Sequence, residues 1–292
     1  MAVMNFAGHL EAVLDGTASL GYQLKGTQLE GGRILTEIQT AAVGSASFFR
    51  VVVNRRCLFA GPEPAGLLTF TLLESGDCNT NGIAVETHRM SAYSSNELHV
   101  VHLGGALRSH LPAQAFRDRL IQLNAYRALD ALDSATGLQL SIAQSKDYKR
   151  LHQAALRNNL SELQFMDFMT ALLEKGEEPP SAPQKTAIVQ RLVRLAHAEA
   201  EAEPLSLMEV CRHLNIGKTT LSEHCRNTYG MGVMQFLRHI RLEQSRIALA
   251  DPTHRWSVDD VRTRYRFSNR ARFAASYQKA FGYLPSETPK RT

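Results

Sequence analysis

Two short segments near the C-terminus, Ser206–Tyr229 and Ser257–Phe281, share one plan and lie about 50 residues apart. Each opens on a serine suited to cap a helix and runs a short helix with an apolar face into a tight turn. A second helix follows, with aliphatic or aromatic residues at four-residue steps. No other feature constrains the fold as much. One helix-turn-helix of this kind reads part of one major groove, and two held by a common helix can read two successive grooves. Sequence-specific binding to double-stranded DNA is the leading expectation.

The charge distribution agrees. Residues 185–292 hold 18 Lys or Arg against 10 Asp or Glu, and the rest of the chain holds 15 against 18. The basic excess is confined to one end, which suggests a polyanion partner for that end only. With 292 residues and 44% hydrophobic composition the chain has room for two cored domains. The four cysteines, Cys57, Cys78, Cys211 and Cys225, form no CxxC pair, so neither a disulfide framework nor a zinc ribbon is indicated. A reducing cytoplasm is the simple inference. The start, MAVMNFAGHLEAVLDG, lacks the basic leader and long apolar run of a signal peptide. No apolar run approaches the roughly 20 residues that cross a bilayer. No GxSxG, P-loop, Rossmann glycine set or HExxH occurs, so neither an enzyme nor a cofactor is expected.

The expected fold class is α+β, a β-rich N-terminal sensor or dimerisation domain with helices followed by an all-α double helix-turn-helix domain. Between residues 20 and 105 the segments GYQLKGTQL, GRILTEIQT, SASFFRVVVN, GLLTFTLL, GIAVETH and NELHVVHL read as strands of an antiparallel sandwich or barrel. Gly, Pro, Asn and Asp turns such as Gly31–Gly32, Gly61–Pro62 and Asn81–Gly82 separate them. Residues 112–134 predict at least one helix, with Pro112 near its first turn. Asp147–Lys175 reads as another helix, with an imperfectly spaced apolar stripe from Leu151 through Met166 to Leu173. Its apolar face makes it the best dimerisation candidate, beside the plainer reading of an intradomain helix. The charged, proline-rich stretch 176–184 is the expected linker. This divides the chain into 1–175, linker, and 185–292. His99 and His102, in HVVH, face opposite sides of a strand and make a poor metal pair, so no metal is expected. Cys57 and Cys78 are only a remote redox pair.

In the first C-terminal unit, Ser206 caps a helix with Val210, Cys211 and Leu214 turned inward, and Asn215 takes a left-handed turn. Leu221, Cys225 and Tyr229 form the inner face of the next helix. Its outer face presents Thr219, Ser222 and Glu223 to base edges, while Lys218 and Arg226 suit phosphates. MGVMQFLRHIRLEQSRIALA is the connecting helix. Its 18 helical residues span about 27 Å, near the roughly 34 Å between successive grooves. Arg238, Arg241 and Arg246 on it point to solvent or to phosphates, a solvated face being the plainer reading of each. In the second unit, Ser257 and Asp260 form a short capping box, and Phe273, Tyr277 and Phe281 mark the inner face. Arg270 at the helix start suits guanine, Ala271 and Ala275 suit close approach, and Arg266 and Arg272 suit phosphates.

These residues resemble the AraC/XylS family of transcriptional regulators over about residues 185–287. The resemblance rests on YGMGVMQFLRHIRLEQSRIAL around the connecting helix, with its Arg241–Leu242, and on FSNRARFAASYQKAFGYLPS, with Phe267, Phe273, Phe281, Gly282 and Pro285. It implies DNA binding by both units at the positions just named, contact with RNA polymerase, mostly as an activator, and a homodimer. It also implies an N-terminal domain that senses an effector, small molecule or protein, or serves only self-association. Two departures bear on the second unit. Val261–Arg262 stands where the family has Ile-Ala, and Arg266 stands where it has a turn glycine. Arg262 therefore either snorkels out of the helix pair or loosens it.

Overall fold

The computed structural model describes residues 4–8, 10–80, 83–85, 87–93, 97–133, 138–175 and 186–290. The expected linker, 176–184, lies outside them. The chain divides into two compact units. One comprises Met1–Gly26, Leu35–Asn54 and Phe59–Pro183, and the other Thr27–Ile34, Arg55–Leu58 and Gln184–Thr292.

The first unit is built on antiparallel pairing, as the alternating segments predict. Its strands are β1 (Met4–Gly8), β2 (Lys25–Gln28), β3 (Thr36–Val43), β4 (Ala46–Pro62), β5 (Leu67–Thr80), β6 (Ile83–Val85), β7 (Arg89–Tyr93), β8 (Glu97–Pro112) and β9 (Leu138–Gln139). They form one sheet in the order β1-β3-β4-β8-β5-β7-β9, with β2 on β4 and β6 on β5. The strands outrun their sequence signals. β4, β5 and β8 have 17, 14 and 16 residues, because pairing of β5 with β8 carries both through Gly76 and Gly104. Both glycines have positive φ, and a Cβ on either would meet the opposite strand's carbonyl oxygen within 2.3 Å. Helix α1 (Leu10–Ala18) precedes β2 and gave no clear sequence signal.

Four further helices bury one face of the sheet. Pro112 ends β8 and caps α2 (Ala113–Gln122), and α3 (Tyr126–Asp133) follows a turn through left-handed Asn124. The single helix expected over Asp147–Lys175 is two, α4 (Ile142–Leu156) and α5 (Glu162–Lys175). The break has a local cause. Asn158 takes φ 58°, and Ser161 and Gln164 then exchange hydrogen bonds as a new capping box. The imperfect stripe was the sign of two faces rather than one. Phe48, Phe70, Leu107 and Leu111 of the sheet pack with Phe116, Tyr148, Phe165 and Met169 of the helices. Phe48 meets Phe165 edge to face at 4.7 Å.

Buried histidines mark this unit. His99, His102, His110 and His152 are each 1% exposed or less. Burial pulls His99, His102 and His152 down to about 4 and His110 to about 3, so all four are neutral near pH 7. His110 is held by the Tyr22 hydroxyl at 2.5 Å and Ser47 Oγ at 3.0 Å, and His152 Nε2 donates to the Arg108 carbonyl at 3.0 Å. Neither ring nitrogen of His102 makes a hydrogen bond of normal geometry. Cys57 and Cys78 are free and buried, and burial raises both thiols. Neither is a thiolate at neutral pH.

The second unit is helical. It runs α6 (Thr186–Ala198), α7 (Leu207–Leu214), α8 (Lys218–Tyr229), α9 (Val233–Ala250), α10 (Val258–Arg264) and α11 (Arg270–Phe281), then a 3₁₀ turn at Pro285–Glu287. Two segments distant in sequence complete it. Gln28 Nε2 donates to the Ala280 carbonyl at 2.9 Å, and the Gly32 N–H reaches the same oxygen at 3.2 Å. A Cβ at Gly31 would lie 2.4 Å from the Lys279 carbonyl oxygen, so only glycine fits. The last carbonyls of α11, which a helix leaves unsatisfied, thus find partners about 250 residues away.

Candidate nucleic-acid interface

Each reading helix is positioned by a capped helix and a tight turn. Ser206 and Glu209 form a reciprocal capping box at the start of α7, and Val210, Cys211 and Leu214 are buried as expected. Asn215 closes the helix at φ 49°, ψ 55°, the left-handed geometry its short amide tolerates. Gly217 then caps α8 without any side-chain acceptor, leaving the first N–H groups of that helix open. Leu221, Cys225 and Tyr229 are buried, and Tyr229 stacks on Phe236 of α9 with centroids 4.1 Å apart. Lys218, Thr219, Glu223 and Arg226 are exposed and Ser222 is half-buried, so the five side chains lie off the core face of α8.

The second unit repeats the construction. Ser257 and Asp260 exchange hydrogen bonds at the start of α10. Asn269 Oδ1 accepts the Arg272 N–H at 2.9 Å and caps α11. Phe273, Tyr277 and Phe281 are buried with Val261 and Leu242 in one core. Arg270, Ala271, Arg272 and Ala275 are exposed. Gln278 and Lys279 are exposed on the same helix and escaped the sequence reading, because neither belongs to its first turns.

The two departures have physical solutions. Arg262 neither leaves the helix pair nor loosens it. Its Nε donates to Asp259 at 2.7 Å and its Nη1 to the Phe267 carbonyl at 2.5 Å, so it ties α10 to the turn. Arg266 takes the glycine-like φ of 59°. Its Nε donates to the Glu201 carbonyl at 3.2 Å, and Nη1 lies 3.5 Å from Glu203. A left-handed L-residue costs about 1 kcal/mol and an exposed ion pair contributes less than about 1 kcal/mol. Arg266→Gly is therefore expected to raise the stability of this unit by up to about 1 kcal/mol in chemical denaturation. A loss beyond about 1 kcal/mol would show that the Glu201 and Glu203 contacts, not the turn, dominate at this position.

The connecting helix corrects one expectation. Arg246 is not solvated. It is buried with Glu243, 2.6 Å away, and lies over the Phe281 ring at 5.9 Å. Burial of both charges forces the pairing. Arg241 is half-buried and donates to the carbonyls of Glu199 and Ala202 at 3.1 and 3.2 Å. Arg238 is exposed and its Nη2 donates to Ser276 Oγ of α11 at 2.6 Å. Among the described residues no cluster of His, Cys, Asp and Glu is arranged to hold a metal ion, and no helix is long and apolar enough to cross a membrane.

Comparison with known proteins bears on this unit. The family described as a helix-turn-helix domain matches residues 210–291. The probable thc operon regulatory protein of Rhodococcus erythropolis is 35% identical over 101 residues, which are 33% of this chain and 30% of that protein. The chain thus covers less than a third of that relative's length. The AraC-like transcriptional activator CuxR aligns over 84% of this chain and 95% of its own, at 14% identity and a TM-score of 0.42. A probable AraC family transcriptional regulator from Rhodopseudomonas palustris aligns over 35% of this chain and 93% of its own, at 24% identity and a TM-score of 0.32. Residues 210–291 thus form a helix-turn-helix domain, a DNA-binding class.

Proposed function

We propose that the whole chain is a sequence-specific transcription regulator that reads two successive major grooves of double-stranded DNA. The observation that carries this reading is the pair of exposed outer faces on α8 and α11, each standing on a closed aromatic or aliphatic core. Thr219, Ser222 and Glu223 of α8 and Arg270, Ala271 and Ala275 of α11 read bases in this proposal. Lys218, Arg226, Arg266 and Arg272 hold phosphates. The protein acts in the cytoplasm as a homodimer and contacts RNA polymerase as an activator. Free, buried cysteines suit that reducing compartment.

The test is selection of genomic fragments by the purified full-length protein at about 0.15 M salt, followed by Arg270→Ala. Arg270 carries a guanidinium able to donate twice to guanine, worth about 1–3 kcal/mol of discrimination. The variant is expected to lose about tenfold or more on the selected sequence, with a much smaller loss on unrelated duplex. An equal loss on both would remove Arg270 from the base readers.

Two features of the N-terminal unit bear on its role, a small internal cavity and an apolar outer groove. The cavity beside Cys78, His102 and Arg108 has a volume of only about 30 Å³. That is room for one or two waters, far below the several hundred Å³ of an ordinary ligand site. On the outside, Leu151, Leu160 and Phe168 line a shallow groove between α4 and α5, and Leu163 is 54% exposed. This apolar surface is the dimerisation face of the proposal, and the unit's effector is a small molecule or a protein.

A further inference from the structure

The connecting helix carries more than a spacer requires. Along α9 and the turn before α11 runs an open groove of about 320 Å³. Arg238, Arg241, Arg266 and Arg272 line it, and none of its lining residues is acidic. Its floor is apolar, formed by Met234, Leu237, Phe267 and Phe273 among others. Met234 is 42% exposed, a large apolar side chain left open in this unit as Met208 and Leu284 are, and the one of the three that lines the groove. The nearest counter-charge paired with the four guanidinium groups is the exposed Glu203, at 3.5 Å from Arg266.

A groove with a cationic rim and an apolar floor fits an occupant that is anionic on one side and apolar on another. Inorganic phosphate satisfies only the rim. A strand of nucleic-acid backbone satisfies both, since each phosphodiester is flanked by an apolar deoxyribose. Position favours the same occupant. The groove opens beside Ser268, Asn269 and Arg272, at the N-terminal end of the helix whose first turn is directed at DNA in the proposed function. The Arg238 guanidinium is held at this rim by Ser276, so it is presented in a fixed place without its charge being neutralised.

We propose that this groove seats one strand of the DNA sugar–phosphate backbone, with Arg238 of the connecting helix as a phosphate contact and Met234 and Leu237 against the sugar. The inference rests on the reading of the chain as a DNA-binding protein. It adds that the helix joining the two reading units is itself part of the interface. Arg241 is a positioning residue here, because its guanidinium holds the carbonyls of Glu199 and Ala202.

The experiment compares full-length wild type, Arg238→Gln, Arg238→Lys, Met234→Glu and Arg255→Gln on one 40-base-pair duplex of mixed sequence. Arg255 is exposed and lies outside the groove, so its variant controls for net charge. Binding is followed by fluorescence anisotropy across a salt series. A lost phosphate contact lowers the slope of log K against log salt by about one. Arg238→Gln is expected to show that reduction and roughly tenfold weaker binding. Arg238→Lys restores the slope, and Arg255→Gln stays close to wild type. Met234→Glu places a carboxylate against the backbone and is expected to weaken binding at least tenfold at an unchanged melting temperature. A loss of affinity in Arg238→Gln with the wild-type slope would mean that the residue only steadies α11, and the proposal would fail. A wild type that binds no duplex would overturn the underlying DNA-binding reading, while a binding wild type with unaffected Arg238→Gln and Met234→Glu would overturn the groove alone.

Discussion

Lowering the pH from 7 toward 4 is expected to destabilise the N-terminal unit, with its four buried histidines, more than the C-terminal unit, where burial lowers His239. His99, His102, His110 and His152 are buried and neutral, with pKa values drawn to between about 3 and about 4 from an ordinary 6.5. Above pH 6.5 both the folded and unfolded chains carry these rings uncharged, so they leave stability unaffected by pH. Between 6.5 and about 4 the unfolded chain takes up protons that the folded one refuses. Stability then falls with falling pH, because the unfolded state binds more protons. Each pKa unit is worth about 1.4 kcal/mol, so one such histidine accounts for a loss of about 3 kcal/mol across the window. Four of them approach the roughly 5–15 kcal/mol that hold a whole domain together. Circular dichroism of the sheet, denatured with urea at successive pH values, measures the loss. Trp256, the single tryptophan, lies in the other unit and reports on it separately. A urea midpoint for the sheet that does not move between pH 6.5 and 5 would refute the argument.

Phe273→Ala is expected to have the largest effect of any single change in the C-terminal unit. Phe273 is 1% exposed and packs with Tyr277 and Phe267 at ring-centroid distances of 5.7 and 4.8 Å. Removing a buried phenyl ring costs about 3–5 kcal/mol, from lost transfer energy and the cavity left behind. The second helix pair is short, and its single core includes Val261, Tyr265 and Phe281. The loss therefore melts that pair, while the pair formed by α7 and α8 keeps Leu221, Cys225 and Tyr229 in a separate packing arrangement. Footprinting on a selected fragment is expected to show protection shrinking from two adjacent major grooves to one, with weakened binding. A full-length footprint from a destabilised variant would mean that α11 does not need this core to reach its groove.

How much of this was legible in the sequence depends on whether the determinants are local. The Ser206 cap, Asn215, Ser257–Asp260 and the Phe273–Tyr277–Phe281 spacing are all fixed within one or two turns of chain. The structure has each of them where the pattern put it. The break between α4 and α5 was also local, but Asn158–Asn159 was masked by an apolar stripe that continued on both sides. Strand ends were poorly legible, because the length of β8 is set by the partner that pairs with it and not by its own alternation. The burial of Arg246 was invisible for the same kind of reason. An arginine on an amphipathic helix reads as solvated until its carboxylate partner and the Phe281 ring are seen to cover it. Of the interface, the exposure of the proposed base and phosphate readers could be anticipated from helical phase, whereas the groove along α9 is made by residues from three separate stretches and has no signature in any of them.

The hydrogen bonds from Gln28 and Gly32 to Ala280 also set an order of events in time. Their donors and acceptor are separated by about 250 residues, so the contact closes a loop of almost the whole chain. Short helical hairpins such as α10–α11 form from local contacts and fold early, while a closure of this span must first overcome the entropy of a loop of about 250 residues. The carbonyl end of α11 is therefore finished last. On refolding from denaturant the chain passes through a stage in which the helix exists and its final turn frays into water. A pulse of hydrogen exchange during refolding would find the last turn of α11 protected after the rest of that helix.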